Sequence, residues 1–188
     1  MEHRHQSDPP YLLHFSEDPA IRGFVPHVPP TNPEQPPLVW TVDDDHAPLF
    51  WFPRDCPRIT FWTDDGRAAD RLGPTTSERV HAIETRWLEP VRSCELSAYR
   101  FAPTGFEPWP DADGYWVSAT ERTPLDVTPV GDLVGLHAAA GIELRVTPSL
   151  LSLQDAVIAS GYRFSMCRMA NLASRAAPVP WSSHGPRA

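Results

Sequence analysis

Proline recurs along almost the whole of this chain, and its distribution limits the folds that the sequence can adopt. The 188 residues include 23 prolines, which are spread from Pro9 to Pro186 and do not form one tract. Because proline fixes φ and lacks an amide hydrogen, it ends helices and interrupts strands. The pattern therefore predicts short strands and helices joined by ordered loops.

The hydrophobic pattern between the prolines predicts an uneven mixture of strands and helices. Strands are expected at 11–15, 38–42, 58–62, 94–101, 114–118, 123–128 and 142–146. Helices are expected at 76–88, 131–140 and 150–160, with short ones at 19–23 and 46–52, and 163–169 is expected to be a strand or a short helix. Because strands and helices do not alternate regularly, the predicted fold is α+β, with two small, twisted, mainly antiparallel sheets, flanking helices and a cleft between the sheets.

A single domain is predicted over residues 11–172. Residues 1–10 are polar and residues 173–188 are rich in proline and serine, so both ends are expected to be disordered. The proline-rich segment 26–37 is interpreted as a lid or wrap that belongs to the domain. The predicted core comprises Leu13, Val39, Ile59, Phe61, Val80, Ile83, Leu96, Val117, Ile142, Leu144 and Val157.

Charge and composition exclude several classes of function. A net charge of -8 argues against general nucleic-acid binding, and the absence of lysine excludes Schiff-base chemistry. No apolar run reaches the ~20 residues of a membrane span, and the N-terminus lacks the apolar core of a signal peptide, so a cytoplasmic protein is expected. The three cysteines are odd in number and far apart, which argues against a disulfide framework or a paired-cysteine zinc site. The oligomeric state stays open.

The end of the first predicted strand carries the first candidate site residues, His14 and Ser16. Because Leu13 and Phe15 flank His14, the imidazole is expected on the opposite face of the strand from both. Polar groups at an open strand end often line a ligand cleft. The alternative, a histidine bonded to the main chain of a neighbouring loop, carries equal weight on residue type alone.

Residues 40–58 hold a second cluster of aromatic and charged side chains. The run Asp43-Asp44-Asp45 is interpreted as an acidic helix N-terminus, since consecutive residues converge poorly on one ion, and no metal site is predicted. Trp40 and Trp51 offer a stacking surface or belong to the core, and Arg54 contacts an anion or pairs with a neighbouring acid. We expect a single pocket lined by His14, Ser16, Trp40, Trp51 and Arg54.

Cys56 and Glu121 are two further candidates for a chemical role. Cys56 lies between Asp55 and Pro57 and is interpreted as structural, because a nucleophilic cysteine needs an activating base or a helix N-terminus. Glu121 precedes a predicted strand, and on spacing alone it reads as a solvated turn carboxylate. The sequence also lacks a nucleophile elbow, a phosphate-binding glycine loop and a dinucleotide fingerprint.

Two resemblances extend this interpretation. The segments LLHFSEDP, HAPLFWFPRDCPRITFW, GYWVS and GIELRV resemble those of a bacterial family of uncharacterised proteins over most of residues 11–170. More remotely, residues 13–26, the 39–52 region and Glu121 with its following 125–130 segment resemble the three motifs of the ADP-ribosyltransferase superfamily with a His-Tyr-Glu type triad. The middle motif here lacks the usual tyrosine.

The second resemblance implies an ADP-ribosyltransferase-like fold and NAD as cofactor. It implies that His14 bonds the adenosine-side ribose, that Trp40 or Trp51 stacks on nicotinamide, and that Glu121 holds the nicotinamide ribose and stabilises an oxocarbenium-like transition state. His14 and Glu121 would then be the catalytic residues. The alternative is a module that binds a small ligand or partner and has lost the triad. A metal-dependent hydrolase using His14, His46 and nearby carboxylates is a more distant third.

Overall fold

The computed structural model describes residues 9–29, 33–62 and 72–173, and all structural statements below concern these residues. The disorder expected of the two ends falls outside them, apart from residues 9, 10 and 173. The strands are β1 Leu12–Ser16, β2 Val39–Val42, β3 Arg58–Trp62, β4 Arg79–Glu84, β5 Ser97–Phe101, β6 Glu107–Pro108, β7 Tyr115–Ser118, β8 Asp126–Pro129, β9 Glu143–Thr147 and β10 Arg163–Cys167.

The helices are few and short. They are α1 Leu88–Ser93, α2 Leu133–Ala139 and α3 Leu151–Ser160, with 3₁₀ turns at Ala47–Phe50, Thr85–Trp87 and Met169–Asn171. In the described part of the chain no helix has the length and apolar character needed to cross a membrane.

The strands form two sheets, as predicted. The larger has the order β6-β7-β2-β1-β5-β8 and is antiparallel throughout; counted along the chain within this sheet, the order is 4-5-2-1-3-6. The smaller has the order β10-β3-β4-β9, in which only β4 and β9 run parallel. The prediction of a single α+β domain with two mainly antiparallel sheets is therefore confirmed.

The helix predicted at 76–88 is wrong. The segment forms β4, which lies between β3 and β9, and then a 3₁₀ turn before α1. Val80, His81, Ala82 and Ile83 are all fully buried, so both faces of the strand are covered and the apolar residues need not alternate. The apolar residues of this strand therefore recur at a spacing that resembles the period of a helix.

The short helix predicted at 19–23 is also absent. Instead, the amide of Asp18 donates to the Ser16 hydroxyl at 3.1 Å, and the amide of Ala20 donates to the Asp18 carboxylate at 2.8 Å. Side chains of this type compete with helix formation because they satisfy the main chain in a turn. The prolines and these turns lead the chain away from β1 in an extended path.

Apolar residues from both sheets meet in the core. Phe15 of β1 packs on a cluster that includes Phe52, Ile83 and Leu96, so this cluster joins the two sheets. The predicted core residues are buried, except that Leu13 and Leu144 are only partly so. This joined core fixes the relative position of the strand ends that carry polar side chains.

Candidate functional site

His14 lies where β1 and β2 separate. The two strands pair only at Leu13 and Val42, and the His14 side chain bonds the carbonyl oxygen of Trp40 across 2.9 Å. Because a carbonyl only accepts, Nδ1 carries the proton and donates. The other ring nitrogen, Nε2, is then an acceptor in the neutral ring. Nε2 has no hydrogen-bond partner among the described residues. It is also not among the fully buried polar atoms that lack a partner there.

The surroundings of His14 keep it neutral. Burial lowers the pKa of His14, the Trp40 carbonyl offsets part of this effect, and the positive charge of Arg54 lowers it further. The ring of Phe24 meets the imidazole edge-on, with 4.8 Å between centroids. The site therefore presents a neutral imidazole of fixed tautomer beside an aromatic ring.

Ser16 and Arg54 lie near the end of β1. The Ser16 hydroxyl accepts the Asp18 amide and is thereby part of the turn. The amide of Arg54 donates to Glu17 at 2.6 Å, which ties the Arg54 loop to the end of β1. The structure thus brings His14, Ser16 and Arg54 to the same region of the larger sheet.

The two tryptophans of the predicted pocket lie elsewhere. The pairing of Leu13 with Val42 sets Thr41 opposite His14, so the side chain of Trp40 points to the other face of the sheet. There it packs on Trp109, with ring centroids 5.0 Å apart. Trp51 packs in the joined core against His137, at 5.6 Å.

Glu121 approaches the same region from the loop before β8. Phe24 and Arg122 exchange main-chain hydrogen bonds of 2.8 and 3.0 Å in an antiparallel bridge, which sets residue 121 opposite residue 25, from where its side chain extends toward residue 23. A Cβ placed on Gly23 would lie 2.8 Å from a Glu121 carboxylate oxygen. Since neighbouring residues in extended chain point to opposite sides, the 23–24 segment lies between the Glu121 carboxylate and the His14 ring.

One cavity has a volume of about 670 Å³ and opens between α1, residues 93–95, the 53–55 turn and the end of β1. Its wall carries the carboxylates of Glu17, Asp55, Glu89 and Glu95 around Trp87. None of the five residues predicted to share a pocket lines it, although Ser16 and Arg54 are next in sequence to residues that do. Their shared binding role stays a prediction.

The second cavity, of about 450 Å³, lies between the two sheets. Its wall includes His46, Trp62, Tyr115, Tyr162, Arg163 and Ser165. His46 bonds the carboxylate of Asp43, with 2.7 Å between Nδ1 and Oδ1. The sequence suggests an acidic helix start for residues 43–45 and a metal-ligand alternative for His46, but it does not predict the Asp43–His46 pair at this cavity, because the cavity wall comes from distant parts of the sequence.

A buried pair of two histidines was also missed. His81 of β4 and His137 of α2 are fully buried, and 3.0 Å separates Nδ1 of His81 from Nε2 of His137. Nδ1 of His137 donates to the Leu133 carbonyl at 2.6 Å, so its Nε2 accepts the proton of His81. Nε2 of His81 is left buried without a partner among the described residues.

Cys56 and Cys94 are not activated as nucleophiles. Burial raises the pKa of Cys56 to about 12 and that of Cys94 to about 11, so both thiols are protonated at neutral pH. All three cysteines are free. Across the described ranges, no three or more histidine, cysteine or acidic side chains are grouped so as to hold a metal ion.

Comparison with known proteins places the chain in a family. No curated protein and no solved structure matches it significantly. A family of unknown function, DUF6886, matches residues 13–172, which include every strand and helix from β2 to α3 and all but the first residue of β1. The chain belongs to this family of unknown function, DUF6886.

Proposed function

We propose that this protein is an ADP-ribosyltransferase-like enzyme that binds NAD or a related nucleotide beside β1. The observation that carries the proposal is the anchored imidazole of His14, whose Nδ1 is bonded to the Trp40 carbonyl at 2.9 Å. A neutral ring held in this way presents Nε2 as an acceptor for a ribose hydroxyl. This is the role that the sequence resemblance implies for His14.

Groups around His14 suit the other parts of such a ligand. Phe24 lies edge-on to the imidazole and is the aromatic ring best placed to contact a base or nicotinamide there. The main-chain amide of Arg54 is hydrogen-bonded to Glu17 near the end of β1, and the positive charge of Arg54 lowers the pKa of His14. A guanidinium in this position attracts the pyrophosphate of a dinucleotide.

Glu121 is the proposed catalytic carboxylate. It would bond the nicotinamide ribose and stabilise positive charge as the glycosidic bond breaks. In the structure the 23–24 segment lies between Glu121 and His14, so catalysis requires this segment to shift when the ligand binds. The close approach of Glu121 to Gly23 keeps the carboxylate within reach of that segment.

The same geometry favours a second candidate function. If the 23–24 segment stays in place, Glu121 cannot reach a ligand on His14, and the protein is a nucleotide-binding module without transferase activity. The two candidates share the ligand and differ in chemistry. They are therefore separated by measurements of turnover and not by measurements of binding.

Calorimetric titration with NAD, ADP-ribose and ATP tests the binding proposal. We expect at least one of them to bind, and we expect His14→Ala to weaken its binding by roughly 1–3 kcal/mol through the lost hydrogen bond. His27→Ala is the matched control, because His27 is an exposed histidine of the following loop. The proposal fails if none of the three ligands binds, or if both variants bind as well as the wild type.

Release of nicotinamide from NAD separates enzyme from module. The enzyme is expected to release nicotinamide, and Glu121→Gln is expected to remove this activity while NAD affinity stays within about threefold. Glu107→Gln is a suitable control, since Glu107 is an exposed carboxylate on β6. Binding without release in the wild type would favour the non-catalytic module.

A further inference from the structure

The cavity between the sheets contains a fixed hydrogen-bond acceptor. Asp43 is only 6% exposed, and its Oδ1 accepts both the His46 main-chain amide at 2.9 Å and the ring Nδ1–H at 2.7 Å. These two bonds hold the ring and place its proton on Nδ1. His46 lines the cavity, and in the neutral ring its second nitrogen, Nε2, is an acceptor.

Gly114 makes room for this imidazole. Its φ of +79° lies in the left-handed region, and a Cβ there would come within 1.9 Å of the His46 ring. The Gly114 carbonyl also accepts the amide of Asp43 at 2.9 Å, so the same residue supports both partners. The Gly114-Tyr115 segment therefore shapes the Asp43–His46 pair as well as the cavity wall.

Flat aromatic side chains form much of the cavity wall. The Trp62 ring is held by the guanidiniums of Arg79 and Arg163, at 5.4 and 5.5 Å from its centroid. Tyr115 packs against Phe50 with ring centroids 5.8 Å apart. Because both guanidiniums lie over the Trp62 ring itself, the rings of the wall left for a planar ligand to stack on are those of Tyr115, Tyr162 and Phe164.

The polar groups of the wall and rim are both donors and acceptors. Burial raises the pKa of Tyr115 to about 12, so its hydroxyl keeps its proton at neutral pH. Arg163 is paired with Asp113 at 2.5 Å, and Asp111 adds a second exposed carboxylate. A ligand with adjacent N–H donors and a carbonyl acceptor matches such a rim.

We propose that this cavity binds a purine nucleoside, with the base stacked on the aromatic wall and a ring N–H donated to Nε2 of His46. A volume of about 450 Å³ suits a ligand of this size. Guanosine is the best probe, because its N1–H and amino group donate side by side to the imidazole and a rim carboxylate, while its O6 accepts from Arg163.

This site is separate from the proposed nucleotide site beside β1. Tyr115 pairs with Val42, which in turn pairs with Leu13, so the three side chains share one face of the larger sheet. His14 follows Leu13 and points to the opposite face. Ligand binding in the inter-sheet cavity can therefore be tested independently of NAD binding beside His14.

Calorimetric titration of the full chain with guanosine tests the proposal. Saturable binding is expected, and His46→Phe and Asp43→Asn should each weaken it at least about tenfold, because the acceptor is lost or no longer fixed. Asp44→Asn is the matched control for Asp43→Asn, since Asp44 is exposed and does not line the cavity. It should bind guanosine like the wild type, as should His14→Ala.

Nitrogen NMR of histidine-labelled wild-type protein gives a reading that does not depend on the folding of any variant. The His46 ring nitrogens, assigned through their own ring protons, should shift during the guanosine titration, while toluene should leave them unchanged. The proposal is overturned if guanosine does not move these signals, or if toluene moves them equally. It is also overturned if His14→Ala abolishes guanosine binding and His46→Phe retains it.

Discussion

Two hydrogen-bonded pairs that contain histidine show how differently one side chain is used. His81 and His137 bond each other in the core, with no measurable exposure and no carboxylate as a partner. His46 instead bonds the carboxylate of Asp43 and lines a cavity. The first pair joins β4 to α2, whereas the second presents a nitrogen to a space that a ligand can enter.

The partner of each imidazole accounts for this difference. In the buried pair, one neutral ring donates to the other, and burial lowers the pKa of both. In the Asp43–His46 pair, an acidic group orients the ring and leaves its outward nitrogen as an acceptor. A buried histidine alone is thus a poor marker of a site, while a histidine with a carboxylate at a cavity wall is a useful one.

The largest effect is expected when the buried pair is broken. His137→Ala removes a fully buried ring and leaves Nδ1 of His81 without its acceptor. The cavity and the unpaired donor together should lower the free energy of unfolding by about 3–5 kcal/mol, measured by urea denaturation.

His46→Ala is the comparison for that variant. His46 lies at a cavity wall that water can enter, so its loss should cost only about 1–2 kcal/mol. Equal destabilisation by the two substitutions would mean that His46 is as structural as His137, and the contrast between the pairs would be lost.

Gly114→Ala should have the next largest effect, because Gly114 leaves the space that the His46 ring occupies. The added methyl group meets the His46 ring and also strains a φ of +79°. We expect a loss of about 3 kcal/mol in the free energy of unfolding. Gly131→Ala controls for the backbone strain alone, since Gly131 has φ +84° but open space at the Cβ position, and it should cost about 1 kcal/mol.

The fold could be predicted largely because its signals are local. Strands such as β3 and β9 show apolar alternation or β-branched runs bounded by turn residues, and Asp132 caps α2 close to the predicted start. β4 was mistaken for a helix because distant segments cover its two faces: Val80 packs in a cluster with Val157 of α3, and Ile83 in one with Leu133 of α2. That information is absent from the segment itself.

The sites were harder to predict because they depend on contacts that are distant in sequence. His81 and His137 are 56 residues apart, and the cavity next to His46 is closed by residues 110–115 and 162–165. Trp40 and His14 looked like neighbours in one pocket, but strand pairing sends them to opposite faces. His14 itself lies in the middle of β1, where the strand is paired with β5 and separates from β2, and its binding role stays a prediction.

The dependence of stability on pH tests whether the buried pair is neutral. Because the folded-state pKa values of His81 and His137 lie below the ordinary value of 6.5, the unfolded chain binds these protons first as pH falls. Stability is therefore complete above about pH 6.5 and is lost below it, by at most about 1.4 kcal/mol per pH unit for each histidine.

Urea denaturation between pH 7.5 and 5.5 measures this loss, and a double variant assigns it. Replacing both rings by leucine keeps similar volume and leaves no unpaired ring donor, so His81→Leu/His137→Leu should fold at neutral pH and show a shallower pH dependence. His14, whose pKa is also lowered by burial, is retained in this variant. An unchanged slope would assign the acid sensitivity to His14 or to other groups, and the buried pair would then not be the neutral element inferred from its hydrogen bonds.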